Sequence, residues 1–153
     1  MTRVVVIGVG NPYRGDDAVG LAVAERLRGR VPPGVDVLDC EQEPSRLLDA
    51  WEGADVALVV DAAASGGRPG TVHRFDAARA GVPARVFRSS THAFGVGDAV
   101  ELGRALGRLP GRVVVYGVEG ASFVAGETMS PPVEESVERV VRALLADLEA
   151  LEA

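Results

Sequence analysis

The chain has 153 residues, 47% of them hydrophobic, which predicts one folded domain over residues 1–153 rather than a disordered segment. Its formal net charge of −6 at pH 7 argues against nucleic acid as a partner, because phosphate binding needs a basic surface. All 16 basic side chains are arginine, so a P-loop lysine, a Schiff base and a lysine general base are excluded.

The cysteine content and the hydropathy pattern indicate the cellular compartment of the protein. Cys40 is the only cysteine, so no disulfide forms within the chain, and we expect this thiol to be a buried apolar group rather than a nucleophile. The first apolar run lacks a preceding basic region and is too short for a signal peptide or a membrane span. These features predict a cytoplasmic protein with no membrane partner.

Strand patterns and helix patterns alternate along the chain. Apolar, β-branched runs predict strands at Val4–Val9, Val35–Leu38, Val56–Val60, Thr71–Phe75, Ala84–Phe87 and Val113–Val118. Apolar residues at helical spacing predict helices at Asp17–Arg30, Pro44–Trp51, Gly95–Gly107 and from Ser130–Pro131 towards the end of the chain. The 71–75 run alternates between polar and apolar residues and is compatible with antiparallel pairing.

This alternation predicts an α/β fold. We expect a single-domain, doubly wound, mostly parallel twisted sheet of about five strands, with helices on both faces. In such sheets the functional site lies beyond the carboxyl ends of the strands. The residues that follow each strand are therefore the candidates for function.

Acids and a histidine follow four of the predicted strands. Asp16 and Asp17 come shortly after the first strand, Asp61 closes the third, His92 follows the 84–87 run, and Glu119 follows the last. Two carboxylates and one imidazole suit a divalent ion and leave coordination positions open for water or substrate. Such an ion can polarise a carbonyl and activate water. The spacing is not that of a local metal-binding motif.

Each of these residues also has a structural interpretation. Asp17 fits the first turn of a helix, where the helix dipole stabilises an acid, and Asp16 fits the N-cap. On the latter interpretation Asp16→Asn has a mild effect, since asparagine caps helices about as well as aspartate. Asp61 fits a turn after a strand, and His92 fits a helix cap or a hydrogen bond in the core. The other histidine, His73, lies in a strand expected to be exposed and is interpreted as structural.

Four stretches in chain order resemble the [NiFe]-hydrogenase maturation endopeptidases. They are Gly8-Val9-Gly10-Asn11 with Asp16-Asp17-Ala18-Val19-Gly20, then Val59-Val60-Asp61-Ala62, then Ser90-Thr91-His92, and lastly Tyr116-Gly117-Val118-Glu119-Gly120. These proteases remove a C-terminal extension from the hydrogenase large subunit after nickel has been inserted. The resemblance covers essentially the whole chain.

The resemblance implies a role for each matching residue. The family's metal-contacting and catalytic residues fall on Asp17, Asp61 and His92, although some relatives have glutamate at the position of Asp17. It also implies that the nickel is carried by the substrate, so that no tightly bound intrinsic cofactor is expected. The implied partner is the precursor of a [NiFe]-hydrogenase large subunit.

The segment after the second strand departs from the family. Some relatives have a Gly-Gly-Thr loop there, whereas this chain has Cys40-Glu41-Gln42-Glu43-Pro44. We therefore predict that Glu41, Gln42, Glu43 and Arg46 bind substrate and help to select the precursor.

Three other functions fit part of the sequence. A nickel-binding chaperone would use the same three residues without cleaving anything. A dinucleotide-binding module fits Gly8-Val9-Gly10 and Asp39, but Tyr13 stands at the third glycine position, and two carboxylates face the expected phosphate site. A phosphoacceptor signalling domain needs a lysine after the last strand, which the chain lacks.

Overall fold

The structure, a computed structural model, describes residues 2–41, 43–80 and 95–152. The predicted strand at Ala84–Phe87 lies outside these residues. The described strands are β1 (Val4–Val9), β2 (Val35–Cys40), β3 (Val56–Ala63), β4 (Val72–Asp76) and β5 (Arg112–Glu119). The described helices are α1 (Val19–Leu27), α2 (Pro44–Ala50), α3 (Ala77–Ala80), α4 (Val96–Leu106) and α5 (Pro131–Glu152), with a 3₁₀ turn at Gly15–Ala18 before α1.

The five described strands form one sheet in the order β2-β1-β3-β5-β4. The first four strands in this order are parallel, with Val4 opposite Val35 on one side and Val56 on the other. β4 is antiparallel to β5. The predicted fold class, a mostly parallel α/β sheet covered by helices, is confirmed, and so is the antiparallel pairing of the 71–75 run.

The two faces of the sheet are covered by different helices. Alternate side chains of β1, β3 and β5 pack with α1 and α5 on one face, and the intervening side chains pack with α2 and α4 on the other. The central strands are apolar on both faces for this reason, which explains why their sequences are continuous apolar runs. Trp51, after α2, is 1% exposed and donates its indole N–H to the carbonyl of Arg108 at 2.9 Å.

Helix α5 is fixed to the sheet by a polar contact as well as by its apolar side. Asp147 accepts a short hydrogen bond from the Tyr116 hydroxyl and a 2.8 Å ion-paired bond from Arg74. Burial, reinforced by Asp147, raises the pKa of Tyr116, so the phenol stays protonated and donates. This contact lies on the α1/α5 side of the sheet.

A very close approach between α1 and the sheet depends on Gly20. A Cβ at this position would lie 2.4 Å from the carbonyl oxygens of both Val9 and Val60. Both are backbone atoms, so no side chain can rotate away. Glycine therefore lets the start of α1 lie directly on the carboxyl ends of β1 and β3.

Gly20→Ala is expected to lower the free energy of unfolding by about 2–3 kcal/mol, because the clash forces α1 away from the sheet. Alanine's better helix propensity, worth about 1 kcal/mol, offsets only part of this loss. The measurement is denaturant unfolding, with Gly111→Ala as the control. At Gly111 the nearest atom to a new Cβ is 3.8 Å away. Equal stability of the two variants would contradict the close approach.

Candidate active site

The first part of the candidate site is the loop between β1 and α1. A tight turn begins at Gly10, whose φ is +155° and whose Cβ, if present, would lie 2.0 Å from the Asp17 carbonyl oxygen. Asp17 lies in the 3₁₀ turn that follows and is 4% exposed. Its Oδ2 accepts a 3.0 Å hydrogen bond from the Asn11 backbone N–H. In a dinucleotide-binding loop this backbone N–H would donate to a phosphate, but here it donates to the Asp17 carboxylate.

Asp61 lies inside β3 rather than after it. The strand was expected to end at Val60, but Ala62 and Ala63 continue to pair with β5, opposite Val118 and Glu119. The side chain of Asp61 is 1% exposed, and its Oδ1 accepts a 2.8 Å bond from the Ala62 N–H. By strand alternation it points to the same face as Val59, which is the face covered by α2 and α4.

Asp17 and Asp61 lie at the same edge of the sheet. The 3₁₀ turn that carries Asp17 contacts β3, and Gly20 rests on the carbonyl of Val60, the residue before Asp61. His92, the third predicted member of the site, lies outside the described residues, as does Gln42. Within residues 2–41, 43–80 and 95–152, no group of three or more His, Cys, Asp or Glu side chains is arranged to hold a metal ion. The convergence of all three residues therefore stays a prediction.

Cys40 lies near Asp61, and its thiol is buried and unreactive. It is 7% exposed, and its Sγ donates to the carbonyl of Glu41 at 3.2 Å. Burial raises the pKa of the Cys40 thiol to about 11, and the carboxylate of Asp61 adds to this rise. The thiol is therefore neutral near pH 7, and the expectation of a buried cysteine is confirmed.

A cavity of about 480 Å³ opens beside the β1 loop. Gly10 and Pro12 line one side, and Cys40, Glu41 and Arg46 line the other. Glu41, Glu43 and Arg46 are exposed, and Arg46 lies 3.1 Å from Glu43 and 3.9 Å from Glu41. Hydrogen bonds from the Ser45 hydroxyl and, to a smaller extent, from Arg46 lower the pKa of Glu43 below its usual value. Two of the predicted substrate-binding residues, Glu41 and Arg46, thus border a cavity that the loop after β1 also lines.

Asp16 has a role that the sequence did not indicate. It caps no helix, so the prediction of an N-cap is wrong. Its buried carboxylate instead binds the loop between β5 and α5. It accepts hydrogen bonds from the backbone N–H groups of Ala121 at 2.6 Å, Ser122 at 3.2 Å and Ser130 at 2.6 Å. The Ser130 hydroxyl adds a fourth bond at 2.9 Å. Asp16 therefore fixes the 120–130 loop beside Asp17.

Asp16→Asn is expected to destabilise the protein by about 2–3 kcal/mol, because an amide nitrogen would face donors and leave at least one buried N–H unsatisfied. This replaces the mild effect expected of a cap. Amide hydrogen exchange at Ala121 and Ser122 should accelerate together with the loss of stability. The control is Asp36→Asn, the same chemical change at a half-exposed residue 3.7 Å from Arg3, which should cost less than about 1 kcal/mol. Similar losses in both variants would contradict the role of Asp16.

A second buried acid, Glu119, is 1% exposed and organises the end of β5. It accepts a short hydrogen bond from the Ser65 hydroxyl and lies 2.9 Å from Nε2 of His73. His73 also stacks on Phe75, with the ring centroids 6.1 Å apart. The structural interpretation of His73 is therefore supported, although its side chain is only 29% exposed.

Comparison with known proteins identifies the family. A family model described as "HycI: Hydrogenase maturation protease" matches residues 21–147. The Hydrogenase 2 maturation protease of Escherichia coli is 30% identical over 150 residues, covering 95% of this chain and 90% of that protein. The chain belongs to the hydrogenase maturation protease family.

Solved structures of proteases named in the same way share the fold. The hydrogenase maturating endopeptidase HybD from Escherichia coli superposes with a TM-score of 0.83 at 28% identity, covering 97% of this chain and 93% of that one. The [NiFe] hydrogenase maturation protease HycI from Thermococcus kodakarensis gives a TM-score of 0.74 at 30% identity, with the same coverages. Among the helices of the described segments, none has both the length and the apolar character needed to cross a membrane.

Proposed function

We propose that this chain is an endopeptidase that removes the C-terminal extension of a nickel-loaded [NiFe]-hydrogenase large-subunit precursor. Membership of the maturation protease family carries the proposal. The buried carboxylates of Asp17 and Asp61 at one edge of the sheet support it, because a cleft with anionic ligands suits a divalent ion.

In the proposed reaction Asp17, Asp61 and His92 contact the nickel that the precursor already holds. Two carboxylates and one imidazole leave the metal shell open, so the remaining ligands come from the substrate. In the sequence His92 precedes Gly95, the N-cap residue of α4, by three positions. The protease then needs no tightly bound metal of its own. We place the reaction in the cytoplasm.

The test is to incubate the purified protein with nickel-loaded precursor and to follow the intact mass of the precursor. Loss of one C-terminal peptide is the expected result, together with one new C-terminus in the large subunit. Stable binding without a change in mass would instead support a nickel chaperone and overturn the proposal.

Selection of the precursor is assigned to Glu41, Gln42, Glu43 and Arg46. Glu41 and Arg46 line the 480 Å³ cavity, and this supports the assignment, because a peptide entering the cavity passes exposed charges of both signs. Charges at the rim of an interface affect specificity more than affinity.

Exchanging residues 41–46 with the segment of a related maturation protease is expected to change which precursor is processed. The measurement is the ratio of kcat/KM for the two proteases' own precursors, with an expected shift of at least tenfold towards the donor's precursor. The control exchanges the exposed residues 28–30 between α1 and β2. An unchanged ratio would move selectivity to another part of the surface.

A further inference from the structure

Two distant segments of the chain meet beside Asp17 and form one surface, residues 12–14 and 122–126, called here the rim. The Gly126 N–H donates to the carbonyl of Tyr13 at 2.8 Å, and Nε of Arg14 donates to the carbonyl of Phe123 at 3.4 Å. The neighbouring Gly15 N–H donates to the carbonyl of Glu127 at 3.0 Å. The four bonds that Asp16 accepts from Ala121, Ser122 and Ser130 join the chain next to these two segments.

The rim exposes apolar side chains that the fold does not use. Tyr13 is 78% exposed and Val124 is 55% exposed, although the backbone carbonyls of both residues accept hydrogen bonds. The other large apolar side chains exposed within the described ranges are Leu102 and Leu106, both on α4. An exposed tyrosine on an ordered backbone loses little conformational freedom on binding, and tyrosine is enriched among residues that dominate interface energies.

The rim is continuous with the cavity beside the candidate site. Pro12 lines that cavity and Tyr13 follows it directly, while Asp17 lies four residues further along the same loop. A peptide alone can fill the cavity and leave Tyr13 and Val124 in water. A folded protein whose chain reaches Asp17 brings its own surface against the rim.

We propose that the rim is a docking surface for the folded body of the hydrogenase large subunit, outside the extension that is cleaved. The inference rests on the proposed function and extends it, because it assigns binding energy to residues that touch neither nickel nor the scissile bond. The docked surface belongs to the large subunit both before and after cleavage. The processed subunit is therefore a competitive inhibitor that binds through the same residues.

The experiment compares Tyr13→Ser and Val124→Ser with Leu106→Ser, using nickel-loaded precursor as substrate. Leu106 is 56% exposed, which matches Val124, and it ends the helix that leads to the start of β5, so it lies at the opposite edge of the sheet. We expect Tyr13→Ser to raise KM about tenfold and Val124→Ser about threefold, with kcat and the unfolding midpoint unchanged. Leu106→Ser should behave as the wild type. The inhibition constant of processed large subunit should rise by the same factors.

The outcomes separate this inference from the proposed function. A wild-type protein that cleaves nothing would overturn the proposed function itself. Cleavage by the wild type with KM and product inhibition unchanged in both rim variants would overturn only the docking surface. A fall in kcat alone would also overturn it, because the rim would then act on the chemistry. A wild-type dimer that Tyr13→Ser converts to monomer, with unchanged KM, would make the rim a contact between copies of this chain.

Discussion

Asp61→Asn and Asp17→Asn are each expected to abolish processing of the nickel-loaded precursor while the fold stays intact. Each change removes a carboxylate from the proposed nickel contact, and the amide is a far weaker ligand for the metal. Rates should fall by at least about 100-fold, since changing groups that only orient metal ligands already costs about 10–100-fold. The double variant should be little worse than either single variant, because the ligands act as a unit.

Both substitutions keep the structural hydrogen bonds described above. An asparagine oxygen can still accept from the Ala62 N–H at position 61 and from the Asn11 N–H at position 17. The measurement is loss of the extension by intact mass, alongside the unfolding midpoint of each variant. Asp147→Asn is the control, since Asp147 binds Tyr116 and Arg74 on the α1/α5 side of the sheet. It should lower stability and leave the processing rate of the folded protein unchanged. Full processing by the Asp61→Asn protein would remove Asp61 from the site.

The sheet could be predicted from sequence because its central strands are buried on both faces. Such strands have continuous apolar runs that end in polar residues, and β1 matches its predicted bounds, Val4–Val9. The same rule misplaced the end of β3, because an acid after Val60 indicates the end of a strand. Pairing with β5 through Glu119 carries the strand past Asp61, and this pairing joins residues that are far apart in the chain.

The contacts of Asp16 could not be predicted, because their donors are 105–114 residues away. Locally, an acid before a helix is best interpreted as a cap, and nothing in the neighbouring residues indicates otherwise. The only sequence signal was that two adjacent acids stand where one cap suffices. The structure divides the pair by function, since Asp16 binds the 120–130 loop and Asp17 lies at the candidate site.

The contact between Glu119 and His73 depends on register. His73 stands opposite Gly117 in the antiparallel pair of β4 and β5, so its ring lies near the side chain of Glu119, two residues on. Sequence alternation predicted β4 but gave neither its neighbour in the sheet nor the alignment of the two strands. Asp61 and Glu119 are both buried, and the contacts of Glu119 with Ser65 and His73 give it a structural role at the end of β5.

The nickel in the precursor is expected to decide whether cleavage takes place. Precursor made with nickel should lose its extension, and precursor made without nickel should stay uncut, although its scissile peptide bond is chemically the same. Two carboxylates and one imidazole supply only three ligands and leave the coordination shell of a divalent ion incomplete, so the free protease should bind nickel weakly. Nickel added to the protease should therefore not restore cleavage of the nickel-free precursor.

The comparison requires that both forms of the precursor still bind. Nickel-free precursor added to a reaction with loaded precursor should inhibit it by competition, because the rim contacts the folded body and not the metal. The measurements are loss of the extension by mass and the inhibition constant of the nickel-free form. Equal cleavage of both forms would show that Asp17, Asp61 and His92 do not sense nickel. Inhibition without cleavage would show that the bound nickel determines whether the precursor is cleaved, because the peptide and the docking surface are the same in both forms.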